Sequence, residues 1–175
     1  SFAPFLTRML YGNQVKLTVL NDAGPITVNL DKIVDIEARA TDWQTGQFFP
    51  ESCTDCDPYG QGIVALIKWR LENDTTIREA FYETDADFTN RFFLGFLADP
   101  LGFRDLVVTE HGEINSSYPD RYKRFIVSGD TSHTALQSPL FYSQDADGVL
   151  LNEWTDDFIS PRPFWVDIVE DYISP

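Results

Sequence analysis

Two groups of polar residues in this chain could do acid–base chemistry. One is Asp85 and Asp87, which follow the run Ile-Arg-Glu-Ala-Phe-Tyr-Glu at 77–83. The other is His133, at the end of Ser-Gly-Asp-Thr-Ser-His, which follows Tyr-Lys-Arg-Phe-Ile-Val at 122–127. A histidine can take up and return a proton near neutral pH, and a carboxylate on its second ring nitrogen fixes the tautomer that does so. Such a pair activates a serine hydroxyl for attack on a carbonyl carbon. Aspartates beside an apolar run also cap helices, and a histidine in a polar loop is often only solvated, so spacing alone leaves both readings open.

The elements around these residues must place them together. Residues 15–20 (Val-Lys-Leu-Thr-Val-Leu), 77–83 and 122–127 alternate or are β-branched and aromatic, which predicts strands. Residues 4–10, 63–72 and 89–97 carry helical apolar spacing, and 34–40 is a further helical candidate. Residues 105–111 are ambiguous, and 167–172 suggest a last short helix. Strands followed by polar loops and helices point to an α/β domain. In open sheets of that class chemistry collects at the carboxyl ends of the strands, where Asp85, Asp87 and His133 would fall.

Other motifs carry less. Asp145-Ala-Asp-Gly148 begins like a calcium-binding loop, but the twelfth position is Asp156 rather than Glu, so a plain turn is expected. His111, between Glu110 and Gly112, is expected in a solvated loop, and Asp22 at a strand end is read as structural. The stretch 43–62 is rich in Gly, Pro, Asp and aromatic residues, which predicts a long loop. Its Trp43, Phe48, Phe49 and Tyr59 either line a substrate groove or anchor the loop. Within it Cys53-Thr-Asp-Cys56 stands among turn residues. Zinc would need two more ligands, and the chain has two histidines, so a local disulfide and an oxidising compartment are expected, with a secreted or periplasmic protein.

Composition narrows the partners. The 175 residues suffice for a single domain segment, and 43 % hydrophobic residues can supply a core. A net charge of −15 disfavours nucleic acid and anionic membranes, both of which recruit clustered Lys and Arg. No stretch approaches the roughly 18 apolar residues of a membrane span. The chain opens Ser-Phe-Ala-Pro without a basic leader, and its one methionine is Met9, as in a mature or excised segment.

Three segments together resemble the pectin acetylesterase/Notum family of serine hydrolases. Residues 15–25, Val-Lys-Leu-Thr-Val-Leu-Asn-Asp-Ala-Gly-Pro, are similar to the strand and turn that follow that family's nucleophile helix. Residues 82–93, Tyr-Glu-Thr-Asp-Ala-Asp-Phe-Thr-Asn-Arg-Phe-Phe, resemble the segment of the catalytic aspartate, which there stands three residues before a Gln; Asp87 stands three before Asn90, with Asp85 in reserve. Residues 125–136 resemble the segment of the catalytic histidine and assign that role to His133. The match runs over residues 15–136, and the tail beyond about residue 155 has no counterpart.

The resemblance implies the C-terminal portion of an α/β-hydrolase-like fold with a mostly parallel sheet, and an esterase of O-acyl groups on a polymer or small ester, without metal or organic cofactor. The order serine, acid, histidine is that of α/β-hydrolases. The serine of that family lies in Gly-x-Ser-Ala-Gly, and no Gly-x-Ser-x-Gly occurs here. The nucleophile and oxyanion hole are therefore expected in an upstream segment or a separate chain, which becomes an obligatory partner. Two alternatives stay open. One is a degenerate, non-catalytic half acting as a binding module. The other is a self-processed hydrolase with Ser1 as N-terminal nucleophile.

Overall fold

The structure, a computed structural model, describes residues 3–24, 26, 29, 38, 41–42, 44–56, 62–160 and 162–173. Its centre is a strand with almost no polar face. Strand β2 (Ile77–Thr84) is buried along nearly its whole length, so it must be covered on both sides and paired on both edges. Strand β1 (Leu17–Asp22) pairs with it in parallel on one edge and β3 (Tyr122–Val127) on the other. A short strand β6 (Ile168–Val169) adds in parallel to β3, giving the order β1-β2-β3-β6.

Helices fill both faces. Helix α2 (Gly62–Asn73) and the long α4 (Pro100–Ser117) pack Ile67, Leu71, Phe103, Val107 and Ile114 against Ile77, Phe81 and Ile126. On the opposite face α6 (Leu151–Ile159) brings Leu151, Trp154 and Phe158 onto Ala80, Tyr82 and Phe125. The period-two alternation of the strands thus feeds two separate apolar clusters. Helix α1 (Ala3–Tyr11) precedes β1, and α3 (Phe88–Leu94) follows β2, ending at Gly95 with φ 85°, a left-handed C-cap that glycine adopts without strain. Helix α5 (Leu140–Ser143) leads into the hairpin β4 (Asp145–Ala146) and β5 (Val149–Leu150). Asp147 and Gly148 turn that hairpin with φ 53° and 80°, so residues 145–148 form the expected turn.

Two readings of the sequence are corrected. Residues 167–172 do not form a helix: Ile168 and Val169 hydrogen-bond along β3, and Asp167 receives the backbone N–H of Arg124 (2.7 Å) and its guanidinium (2.6 Å). His111 is not in a solvated loop. It sits within α4, fully buried, stacked on Phe81 (centroids 3.6 Å apart), with Nδ1 2.5 Å from the Tyr122 hydroxyl. Residues 105–111, ambiguous in sequence, belong to this same helix. Of the helical candidate at 34–40, only Ala38 is among the described residues, and it is helical.

The core also holds an ion pair. Glu79 on β2 is fully buried and takes two hydrogen bonds from Arg70 of α2, at 2.7 and 2.6 Å. Removing one partner leaves a buried charge without compensation. Glu79→Ala is expected to lose roughly 3–5 kcal/mol of unfolding free energy in a urea titration, and the double change Arg70→Met, Glu79→Leu to recover most of it.

Candidate acid–base site at the carboxyl end of the sheet

The parallel register brings the ends of β1, β2 and β3 side by side, and each contributes a polar loop. After β2 the chain turns through Asp85 and Ala86 into Asp87, the N-cap of α3. An aspartate suits that position because its side chain satisfies an orphan amide of the first turn. Here Asp87 Oδ1 accepts from the Asn90 N–H at 2.8 Å. The cap leaves Oδ2 free for another donor, and that donor is His133 Nδ1 at 2.7 Å.

The loop after β3 carries His133 and is pinned on both sides of it. Gly129 enters the left-handed region at φ 75°, and Asp130 closes a local turn by accepting from the Ser132 N–H at 2.7 Å. Burial pushes the Asp130 carboxyl up, but hydrogen bonds from Ser132, Gln144 and Thr131 outweigh it and hold it below the ordinary range. Thr84 Oγ1 donates to the Ser132 carbonyl at 2.5 Å, and the Phe88 N–H to that of Thr131. Downstream, both oxygens of Asp22 accept backbone amides, from Ala135 and Leu136, each at 3.0 Å. Asp22 is thus the structural residue the sequence suggested, tying the end of β1 to the histidine loop.

Burial divides the pair. The Asp87 side chain is fully buried, whereas that of His133 is 38 % exposed. A carboxylate only accepts, so Nδ1 is the donor in this contact. Among the described residues this is the one hydrogen bond of the His133 ring. Nε2 is left on an accessible ring, where its lone pair in the neutral tautomer has the placement a general base needs.

Asp85, the reserve acid, is engaged elsewhere. Its carboxylate receives Arg104 (2.5 Å), Ser128 Oγ (2.7 Å) and the Gly129 N–H (2.8 Å), joining the ends of β2 and β3 to α4. The residue sequence reasoning missed is Glu83. It is fully buried on β2, hydrogen-bonded to Asp87, and receives Asn90 Nδ2 at 2.9 Å and the Thr84 N–H at 3.0 Å. Burial, then the Asp87 charge, push its carboxyl well above the ordinary range. The available signal was weak: Glu83 is the second of two glutamates in a strand of otherwise mixed character.

The remaining predicted positions are distributed as follows. Cys53 and Cys56 are joined in a disulfide. Phe49 is half-buried after a 3-10 turn (Thr45–Phe48), while Trp43, Tyr59 and Ser1 lie outside the described residues. Among the described residues no group of His, Cys, Asp and Glu side chains is arranged to hold a metal, and no helix is long and apolar enough to cross a membrane. No family model, curated protein or solved structure matches the chain.

Proposed function

We propose that this chain carries the acid and the base of a serine esterase, with Asp87 as the acid, His133 as the base, and the serine supplied from outside these 175 residues. The observation that carries the reading is the buried Asp87 carboxylate on Nδ1 of a partly exposed histidine whose Nε2 has no hydrogen bond among the described residues. The resemblance of residues 15–25, 82–93 and 125–136 to the pectin acetylesterase/Notum family supports it, as does the parallel sheet, whose strands β1, β2 and β3 end side by side. In this reading the sheet is the C-terminal part of an α/β-hydrolase-like domain.

The chemistry is two-step acyl transfer. His133 Nε2 takes the proton of the incoming serine hydroxyl as its oxygen attacks an ester carbonyl. The imidazolium that forms is stabilised by Asp87, which stays ionised. The same Nε2–H protonates the departing alcohol. In the second half His133 removes a proton from water, which attacks the acyl-enzyme and releases the acid. Backbone amides near the serine would hold the oxyanion.

The surface fits a chain that docks on more protein. Among the described residues β1 pairs only with β2. Helix α1 exposes Leu6, Met9, Leu10 and Tyr11, with Met9 at 82 %. Large apolar side chains exposed together on one short helix suit an interaction site. The substrate is an O-acylated polymer or small ester, and the Cys53–Cys56 disulfide fits a secreted or periplasmic enzyme.

The test begins with intact-mass analysis of the native material, to find the segment or chain bearing Gly-x-Ser-x-Gly, and then measures hydrolysis of p-nitrophenyl acetate by the complete assembly. Turnover is expected. An assembly with no such motif and no turnover would instead make the chain a binding module.

A further inference from the structure

Two carboxyl groups, Glu83 and Asp87, lie in hydrogen-bonding contact with no exposure to solvent. Two carboxylates in that position would repel in a medium that screens them poorly, and neither could donate to the other. One of them must hold a proton. Asp87 already accepts from the Asn90 N–H and from His133, as an ionised carboxylate does. Among the described residues the donors to Glu83 are the Thr84 N–H and Asn90 Nδ2, neither of them a cation. The guanidiniums at this end of the sheet are committed elsewhere: Arg104 of α4 to Asp85 and the Glu170 carbonyl, Arg91 of α3 to the carbonyls of Ala86, Phe96 and Leu97. Among the described residues the other charged groups there are acidic: Asp22 at the end of β1, Asp85 at the end of β2, Asp130 in the loop after β3 and Glu170 after β6. His133, from the loop after β3, is turned to Asp87.

We propose that Glu83 is a positioning residue for the base: as a neutral carboxylic acid it donates a hydrogen bond to Asp87, and Asn90 clamps the two carboxyls together. Asn90 does this with two groups at once. Its backbone N–H binds Asp87 Oδ1 (2.8 Å), and its Nδ2 binds Glu83 Oε2 (2.9 Å) and the Ala23 carbonyl at the end of β1 (3.0 Å). The proton on Glu83 completes the set by giving Asp87 a donor besides Asn90 and His133. The carboxylate then meets Nδ1 in one orientation, and its charge is kept from spreading into the core. The inference rests on the acid–base reading of Asp87 and His133 and adds a second carboxyl to it.

The raised Glu83 proton affinity gives the test its sign. Above the ordinary glutamate value of 4.5 the folded chain keeps a proton that the unfolded chain releases, so its stability falls as pH rises through this window. Glu83→Gln is a neutral isostere that still donates to Asp87 and carries no such linkage. The melting temperature of E83Q minus that of the unaltered chain should therefore grow between pH 4 and pH 8, by ~2 °C or more. A difference that stays flat or shrinks with pH overturns the proposal, because Glu83 would then be ionised in the fold. The second readout is the exchange-protected Nδ1–H proton of His133, observed by NMR. Asp87→Asn should abolish it, Glu83→Leu should increase its exchange rate ~10-fold or more, and Glu83→Gln should preserve it. If D87N leaves the resonance in place, the underlying pair is wrong. If D87N removes it and E83L leaves it unchanged, only the role of Glu83 fails.

Discussion

Replacing His133 by alanine in the complete enzyme is expected to lower kcat for p-nitrophenyl acetate by ~10⁴-fold or more, about 5.5 kcal/mol of transition-state stabilisation. The loss is that large because proton removal from serine, protonation of the leaving group and activation of water all pass through one nitrogen. The fold should survive the change. The loop is held by backbone groups on either side of residue 133: the Ser132 carbonyl by Thr84, and the Ala135 and Leu136 amides by Asp22. The side chain itself is 38 % exposed, and its one hydrogen bond among the described residues is to Asp87. A melting temperature close to that of the unaltered protein, together with lost turnover, is the expected pairing. Near-normal turnover would remove His133 from the mechanism.

The two aspartates should separate cleanly. Asp87→Asn keeps the size of the side chain but offers an amide where Nδ1–H needs an acceptor, and the imidazole can settle in the tautomer that presents N–H to the serine. Losses near 10⁴-fold in kcat are the magnitude this error produces. Asp85→Asn acts on different partners. It removes the charge facing Arg104, whose side chain is 11 % exposed, and weakens the bonds to Ser128 and Gly129. Its cost should appear as roughly 2 kcal/mol of stability, below the full cost of breaking a buried pair because the amide still accepts and Arg104 is partly solvated. Turnover per folded molecule should be nearly unchanged. If the kinetic loss appears in D85N and not in D87N, the acid is Asp85.

The parts of this architecture with a strong period were legible in the sequence. Residues 77–83 and 122–127 announce strands because their apolar and β-branched content suits a sheet buried on both faces, and they flank the loops that carry Asp87 and His133. What failed depended on contacts distant in sequence. Residues 167–172 have too few apolar positions to show a period, and Ile168–Val169 become a strand only because β3 has a free edge and Arg124 captures Asp167. His111 looked solvated beside Glu110 and Gly112. The glycine is there because α4 passes close to Arg124: a Cβ at Gly112 would lie 2.8 Å from the Arg124 guanidinium. Glu83 and Asn90 were the least visible as a unit. Their types are ordinary for a strand end and a helix, and their meeting with Asp87 depends on the turn at 85–87 folding the helix back over the strand.

Whether the Asp87–His133 pair activates a serine can be read by active-site labelling. The complete enzyme is treated with a fluorophosphonate, digested, and the labelled peptide sequenced, with H133A run in parallel. A single label is expected on the serine of a Gly-x-Ser-x-Gly segment, formed at least ~10³-fold more slowly in H133A because the hydroxyl has lost its base. A label that forms equally fast without His133, or no label in an assembly that hydrolyses esters, would contradict it.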